Sequence, residues 1–349
     1  MAKKCVFCGK EVKSKSKEHV IPQWLIKHTN RTDKLIYINP NITAFKYMSF
    51  TFPACKECNE KYSKLESATK PVLLNLMDGR AVTPEQIDIL LDWFDKVRIG
   101  LWLGQLQINK KMDEINPHLF IENRTGKTDR LLSIERIQTN PNDQGIAFAG
   151  TATPSFETTP CAWQLIINDY VFTNASSHML FSGRLGFPYA NKLYINDGAE
   201  CSLDLTKGKN RIIKPIIKNW QPATDSVTLY QPIFSAVLDP DSKKEFYSGK
   251  YVLEHCLDAD RGRGGIFYQR GDKGPVEYLT HPISIKPKPR NGHQSYAMAM
   301  PVFDLQDIVT NQYECKSQNP IVRANYKQQQ MMQILQNKQY RAICKKHCK

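Results

Sequence analysis

Apolar side chains recur at three- and four-residue intervals from about 85 to 107, at Ile87, Leu90, Leu91, Phe94, Val97, Leu101 and Trp102. That period lines them along one face and predicts an amphipathic helix. Thr83-Pro84-Glu85-Gln86 supplies its start: Thr83 as N-cap, Pro84 at the first helical position, Gln86 completing a capping box. Such a face must dock on something. Its expected cover is the preceding segment together with the large middle region, which makes the helix a joint between a head and a body; a plain core helix is the simpler alternative. From about 110 to 310 the pattern changes to short apolar and β-branched segments separated by Pro, Gly, Asn and Asp, as in Ala162-Trp163-Gln164-Leu165-Ile166-Ile167 and Gly265-Ile266-Phe267-Tyr268. This predicts a mostly β or α+β body. Arg261-Gly262-Arg263-Gly264-Gly265 lacks both the Lys-Ser/Thr ending of a phosphate-binding loop and the spacing of a dinucleotide fingerprint, so it reads as a turn. The Gln-rich stretch from Asn325 to Arg341, with Tyr326, Met331, Ile334 and Leu335, predicts a basic amphipathic helix with a loose end.

Composition adds partners to this outline. The chain has 349 residues, 41% of them hydrophobic, enough for two domains with a packed core. Its 48 Lys+Arg against 34 Asp+Glu give a net +14, which favours a polyanion as partner. The surplus is at the ends: residues 1–70 hold 14 basic and 6 acidic side chains, and residues 320–349 hold 7 basic and none acidic. No apolar run approaches the ~18–20 residues of a membrane span, and Met1-Ala2-Lys3-Lys4-Cys5 leads into no hydrophobic signal core. The expectation is a soluble cytoplasmic protein with no membrane partner. In a reducing compartment, Cys-x-x-Cys spacings among the ten cysteines point to metal or redox chemistry.

Cys5/Cys8 and Cys55/Cys58 are two such pairs inside one basic segment. Four thiolates in two knuckles are the ligand set of a tetrahedral structural zinc; paired redox dithiols are the competing reading. So short a segment buries too little apolar surface to fold well alone, and zinc would tie its two ends together. At the other terminus Cys344, His347 and Cys348 offer three soft donors without an evident fourth, and read as thiols at a frayed end.

Between the knuckles lies Lys17-Glu18-His19-Val20-Ile21-Pro22-Gln23-Trp24-Leu25, and Cys58 is followed by Asn59-Glu60-Lys61-Tyr62-Ser63-Lys64-Leu65-Glu66. The order Cys-x-x-Cys, Glu-His-x-x-Pro, Cys-x-x-Cys-Asn resembles the HNH endonuclease family over about the first 105 residues. The resemblance implies an α+β chain: an N-terminal ββα-metal domain over 1–70 with a four-cysteine zinc site, then a connecting helical segment over 71–110. A larger, β-rich α+β body over 111–319 would choose substrate, partner or trigger, and a basic C-terminal tail would occupy 320–349.

Phosphodiester hydrolysis needs a water to lose a proton near neutral pH, and histidine suits that step. Matched to the family motif, His19 is the general base, while Glu18 and Asn59 take the positions that hold a catalytic divalent ion. Hard oxygen donors suit Mg²⁺ or Mn²⁺, whereas thiolates select zinc. Glu66, two helical turns beyond Asn59, is either a further ligand or a salt-bridging structural acid. The family's middle Asn falls near Phe50 and Thr51, so Asn39 or Asn41 takes its role or backbone alone holds His19. Trp24 and Leu25 read as head core and Pro22 as a turn. Lys3, Lys4, Lys10, Lys13, Lys15 and Lys17 could pair with phosphates, which predicts salt-dependent binding with little base readout. The resulting expectation is a metal-dependent endonuclease acting on DNA, in a bacterial defence or restriction setting. A non-catalytic zinc-knuckle nucleic-acid-binding protein and an RNA-cleaving toxin are the alternatives. The helix at 85–107 could also serve a homo-oligomer interface, and the body a partner or ligand.

Overall fold

The computed structural model describes residues 3–12, 16–30, 35–38, 43–108, 115, 119–138, 145–151, 161–197, 201–220, 225–235, 244–291 and 295–347. The chain is a mixed α+β structure, and among the described residues no helix is long and apolar enough to cross a membrane. The opening segment carries β1 (Lys17–His19), α1 (Gln23–His28), β2 (Leu35–Ile38), β3 (Thr43–Lys46), β4 (Thr51–Pro53) and α2 (Lys56–Met77). Strand β1 pairs antiparallel with β4, Glu18 opposite Phe52, and the chain passes from β4 through Ala54 and Cys55 into α2. The result is a small two-stranded sheet feeding a long helix. Pro22 precedes the first turn of α1, and Leu25 is fully buried while Trp24 is half-buried.

After β5 (Ala81–Val82), α3 (Pro84–Ile108) begins as its sequence dictates. The Thr83 N–H donates to Gln86 Oε1 at 2.9 Å, and the Gln86 N–H donates to Thr83 Oγ1 at 3.2 Å, closing the capping box. The helix is buried on more than the one predicted face: Trp93, Ile99 and Leu103 are sealed from solvent as completely as Ile87, Leu90 and Leu101. It is a core helix, and two stripes on it meet different neighbours. Asp88, Asp92 and Asp95, spaced i, i+4, i+7, face the body. Lys96, Gly100 and Gly104, spaced i, i+4, i+8, face the opening segment.

The short α4 (Ile121–Arg124) leads into β6 (Asp129–Gln138), β7 (Ile146–Ala149), β8 (Ala162–Ile167), β9 (Tyr170–Ser177), β10 (Tyr189–Ile195) and β11 (Cys201–Thr206). These are followed by β12 (Val227–Gln231), β13 (Cys256–Asp258), β14 (Arg263–Gly264), β15 (Phe267–Arg270), β16 (Val276–Tyr278), β17 (Ile283–Ser284), β18 (Pro289–Asn291) and β19 (Tyr313–Cys315). One eight-stranded sheet runs β16-β15-β12-β6-β9-β8-β7, with β18 added in parallel beside β6. Its core is continuous with that of the opening segment: Phe7, Val20 and Leu25 join Trp93 and Phe94 of α3, which meet Trp163 and Phe172 of the sheet. Each such side chain contributes about 1.5–3 kcal/mol by leaving water.

Arg130 of β6 is fully buried and donates to Asp92 at 2.7 Å, Asp95 at 2.9 Å and Asp88 at 3.0 Å. Arg263 adds bonds of 2.6 Å to Asp88 and 2.9 Å to Asp92. The segment 261–265, expected as a plain turn, thus also supplies a strand residue that anchors α3. Helix Pro320–His347 is longer than the predicted span, and its polar face is the one packed. Asn337 and Arg341 bond Asp307 at 2.7 Å each, while Met331, Met332, Leu335 and Ile343 stay exposed. The reason is charge: the facing helix, Ser295–Thr310, presents Asp304 and Asp307 to a helix that has no acid of its own. Cys344 is buried rather than frayed; Cys348 and the side chain of His347 lie outside the described residues.

Candidate metal centre and the carboxylates beside it

Two local folds bring four sulfurs together. In the first knuckle the chain reverses on itself, with the Gly9 N–H donating to the Cys5 carbonyl at 2.9 Å and the Cys5 N–H to the Lys10 carbonyl at 2.8 Å. Gly9 has φ +73°, and a Cβ there would come within 2.6 Å of the Phe120 ring, so both backbone and packing require glycine. In the second knuckle, Cys55 is the N-cap of α2 and Cys58 lies in its first turn. The four Sγ atoms lie within 4.8 Å of one another, with Cys5–Cys55 at 3.5 Å and Cys8–Cys55 at 3.8 Å. Sulfurs at ~2.3 Å from a tetrahedral zinc are separated by about 3.8 Å. The set fits a metal such as zinc, and its soft donors favour that ion.

The electrostatics agree. Burial pushes the Cys5 thiol up to about 11 and the Cys58 thiol higher still, whereas for Cys55 burial is outweighed by hydrogen bonds from its sulfur neighbours, which lower it. Cys5 and Cys58 thus stay protonated without a metal, and a divalent ion bound among the four sulfurs would release their protons.

The remaining predicted residues are arranged differently from one another. Glu18 on β1 is buried, and its Oε1 accepts from the ammonium of Lys96 on α3. Glu66 on α2 accepts from the same ammonium. Lys96 is wholly buried with its Nζ 6.0 Å from the Phe7 ring centre. Burial opposes its charge, and the two carboxylates more than offset that, holding it protonated. Burial, with Glu66 adding to it, raises Glu18 against the pull of Lys96. Of the two readings of Glu66, the salt-bridging acid is the one the geometry displays.

Asn59 Nδ2 donates to Ser16 Oγ at 3.0 Å and reaches the Lys17 carbonyl at 3.5 Å, tying the first turns of α2 to the start of β1. Among the described residues no hydrogen bond joins Asn59 to Glu18 or His19. As placed, these donors do not fit a Mg²⁺ or Mn²⁺ ion: both carboxylates already converge on a cation, and the Asn59 amide nitrogen faces a hydroxyl.

His19 is half-buried, and its Nε2 lies 3.2 Å from the Met48 carbonyl oxygen, with the Gln23 amide 3.1 Å from the same nitrogen. Donation to the Met48 carbonyl puts the proton on Nε2, and the Nδ1 lone pair then faces the Gln23 amide nitrogen at 3.5 Å. Burial lowers the imidazole pKa, so the ring is neutral near pH 7. A backbone carbonyl and the Gln23 side chain both contact His19; Asn39 and Asn41, the two candidates for the missing middle Asn, lie outside the described residues. Lys3, Lys10 and Lys17 are exposed and Lys4 is half-buried, while Lys13 and Lys15 are not among the described residues.

Lys96 is the residue that sequence reasoning missed. A lone lysine inside Trp93-Phe94-Asp95-Lys96-Val97 has no apolar-face role, and with Gly100 and Gly104 it forms the stripe that was available as a signal. Comparisons with known proteins return nothing: no family description matches the chain, and neither a curated protein nor a solved structure is similar to it.

Proposed function

We propose that the opening segment is a zinc-clamped head that binds nucleic acid and hydrolyses its phosphodiester bonds, with His19 as general base. One observation carries this reading. The His19 imidazole, its Nε2 3.2 Å from a backbone carbonyl, sits on a strand paired with the one that runs into the four-cysteine cluster, within a basic segment. Nδ1 of His19 would take a proton from water as the water oxygen attacks phosphorus, and the bond to the 3′ oxygen breaks with that oxygen taking a proton from solvent to leave as a hydroxyl. Exposed Lys3, Lys10 and Lys17 would neutralise flanking phosphates, so binding weakens steeply with salt. The resemblance to HNH endonucleases supports the same residue as base and supplies DNA as the first substrate to try.

A second reading is binding without cleavage, and the Lys96 ammonium on Glu18 and Glu66 favours it, because it fills the place where the resemblance puts a catalytic ion. Plasmid DNA and a structured RNA, each incubated with zinc-loaded protein with and without Mg²⁺ or Mn²⁺, separate the two. Nicking that disappears in His19→Ala while binding stays within a few-fold supports the nuclease. Tight binding with no cleavage of either polymer selects the second reading, and cleavage indifferent to His19→Ala removes the mechanism.

A further inference from the structure

We propose that Lys96 is the resident cation of the head, and that while it is in place the Glu18–Glu66 pair takes no divalent ion. The inference concerns the native cation balance of this pair and does not depend on whether the head cleaves anything. Glu18 comes from β1 and Glu66 from α2, and one ammonium, delivered by α3, donates to both carboxylates. A divalent ion ligated by those oxygens would need the space that Nζ fills.

Displacing the ammonium is the difficulty. The Lys96 side chain is 0% exposed, Phe7 lies beside its tip, and the stripe it shares with Gly100 and Gly104 is pressed against Val20 and Phe52. A surface lysine would swing into water when an ion arrived. This one would have to carry its charge through apolar surroundings, where an unpaired ammonium is strongly disfavoured. A divalent ion would also have to shed hydration to enter. The pair is reachable from outside, since the Glu66 side chain is 21% exposed, so the block is the lysine itself rather than a lack of access.

The lysine also does what the ion would otherwise do for the architecture. It connects strand, helix and α3 at one point, 78 residues from Glu18 and 30 from Glu66 in the chain. His19, next to Glu18, thereby takes its position from a residue that belongs to the body-facing helix.

The test uses the full-length zinc-loaded protein and Mn²⁺ as probe, with bound ion read from the loss of the free-ion electron paramagnetic resonance signal. Native protein and Glu18→Gln should retain Mn²⁺ equally. Lys96→Met, which keeps the stem and removes the charge, should gain one site at least about tenfold tighter than anything in the native protein, and adding Glu66→Gln should abolish it. Native Mn²⁺ binding that Glu18→Gln weakens tenfold would overturn the proposal, as would a folded Lys96→Met that gains no site. Should Lys96→Met fail to fold, the comparison of native protein with Glu18→Gln still decides. No arm relies on cleavage, so a head without nuclease activity leaves the result readable.

Discussion

A Cβ on Gly104 of α3 would lie 2.5 Å from Cζ of Phe52 on β4, closer than any side chain tolerates. The hairpin strand rests directly on the helix backbone at this point, and Phe50 closes the ring in from the side, edge-on at 4.7 Å. Phe52 has no free direction in which to move. Overpacking costs about 1–3 kcal/mol and alanine gains ~1 kcal/mol in a helix, so Gly104→Ala should destabilise the protein by up to about 2 kcal/mol. Urea denaturation followed by tryptophan fluorescence measures it; a variant as stable as the native protein would mean that the hairpin does not seat on α3.

Chelation should separate the opening segment from the body. With the metal removed, burial leaves Cys5 and Cys58 as neutral thiols and the two knuckles lose their common centre. We expect about one zinc per chain by native mass spectrometry, lost in Cys8→Ser. Limited proteolysis of the chelated protein should cut within residues 3–60 long before the sheet. Equal resistance with and without metal would show that the core contacts of Phe7 and Val20 suffice alone.

The clasp between α3 and the sheet should be more sensitive to loss of Arg130 than to loss of Asp92. Arg130 is fully buried among three carboxylates, and Arg130→Met leaves those charges with Arg263 and Arg98 as their cations, at a cost of roughly 3–5 kcal/mol. Asp92 has a 15% exposed side chain, so water partly replaces what Asp92→Asn removes. Thermal unfolding of both variants ranks them, and the reverse order would contradict the burial argument.

Two buried groups should oppose each other as pH changes. Burial pushes Asp129 up to about 7 from an ordinary 3.8, although it accepts from Ser177 and, at 2.8 Å, from the Ser182 N–H. The folded state then binds the extra proton between those values, so stability falls as pH rises, by about 1.4 kcal/mol per unit. Burial, with the Arg124 charge adding to it, drives His178 down to about 4 from 6.5. There the unfolded state binds the extra proton, and stability rises with pH across that window. The contributions cancel between about 4 and 6.5. Asp129→Asn should leave a stability that drops on acidification, and His178→Gln one that grows. Parallel profiles from denaturant titrations at pH 4.5, 5.5 and 6.5 would sink the assignment.

Much of the local architecture was readable in the chain. The Thr83/Gln86 box starts α3, and the apolar, β-branched segment Ala162–Ile167 is β8, because both depend on neighbours within a few residues. The four cysteines were readable for the same reason, since a Cys-x-x-Cys turn sets its own sulfur spacing. The C-terminal helix was readable as a helix but not in its orientation. An exposed Leu335 and a packed Asn337 follow from Asp307, which sits on another element.

Order along the chain determined the cysteine knuckles and the start of α3, since short-range geometry and thiolate chemistry leave few alternatives. Where Glu18 and Glu66 send their charges was decided by tertiary structure alone. A lysine amid apolar neighbours carries no sign of its partners, and only the docking of Gly100 and Gly104 against Val20 and Phe52 sets the rotation of α3 that aims Lys96 between those two carboxylates.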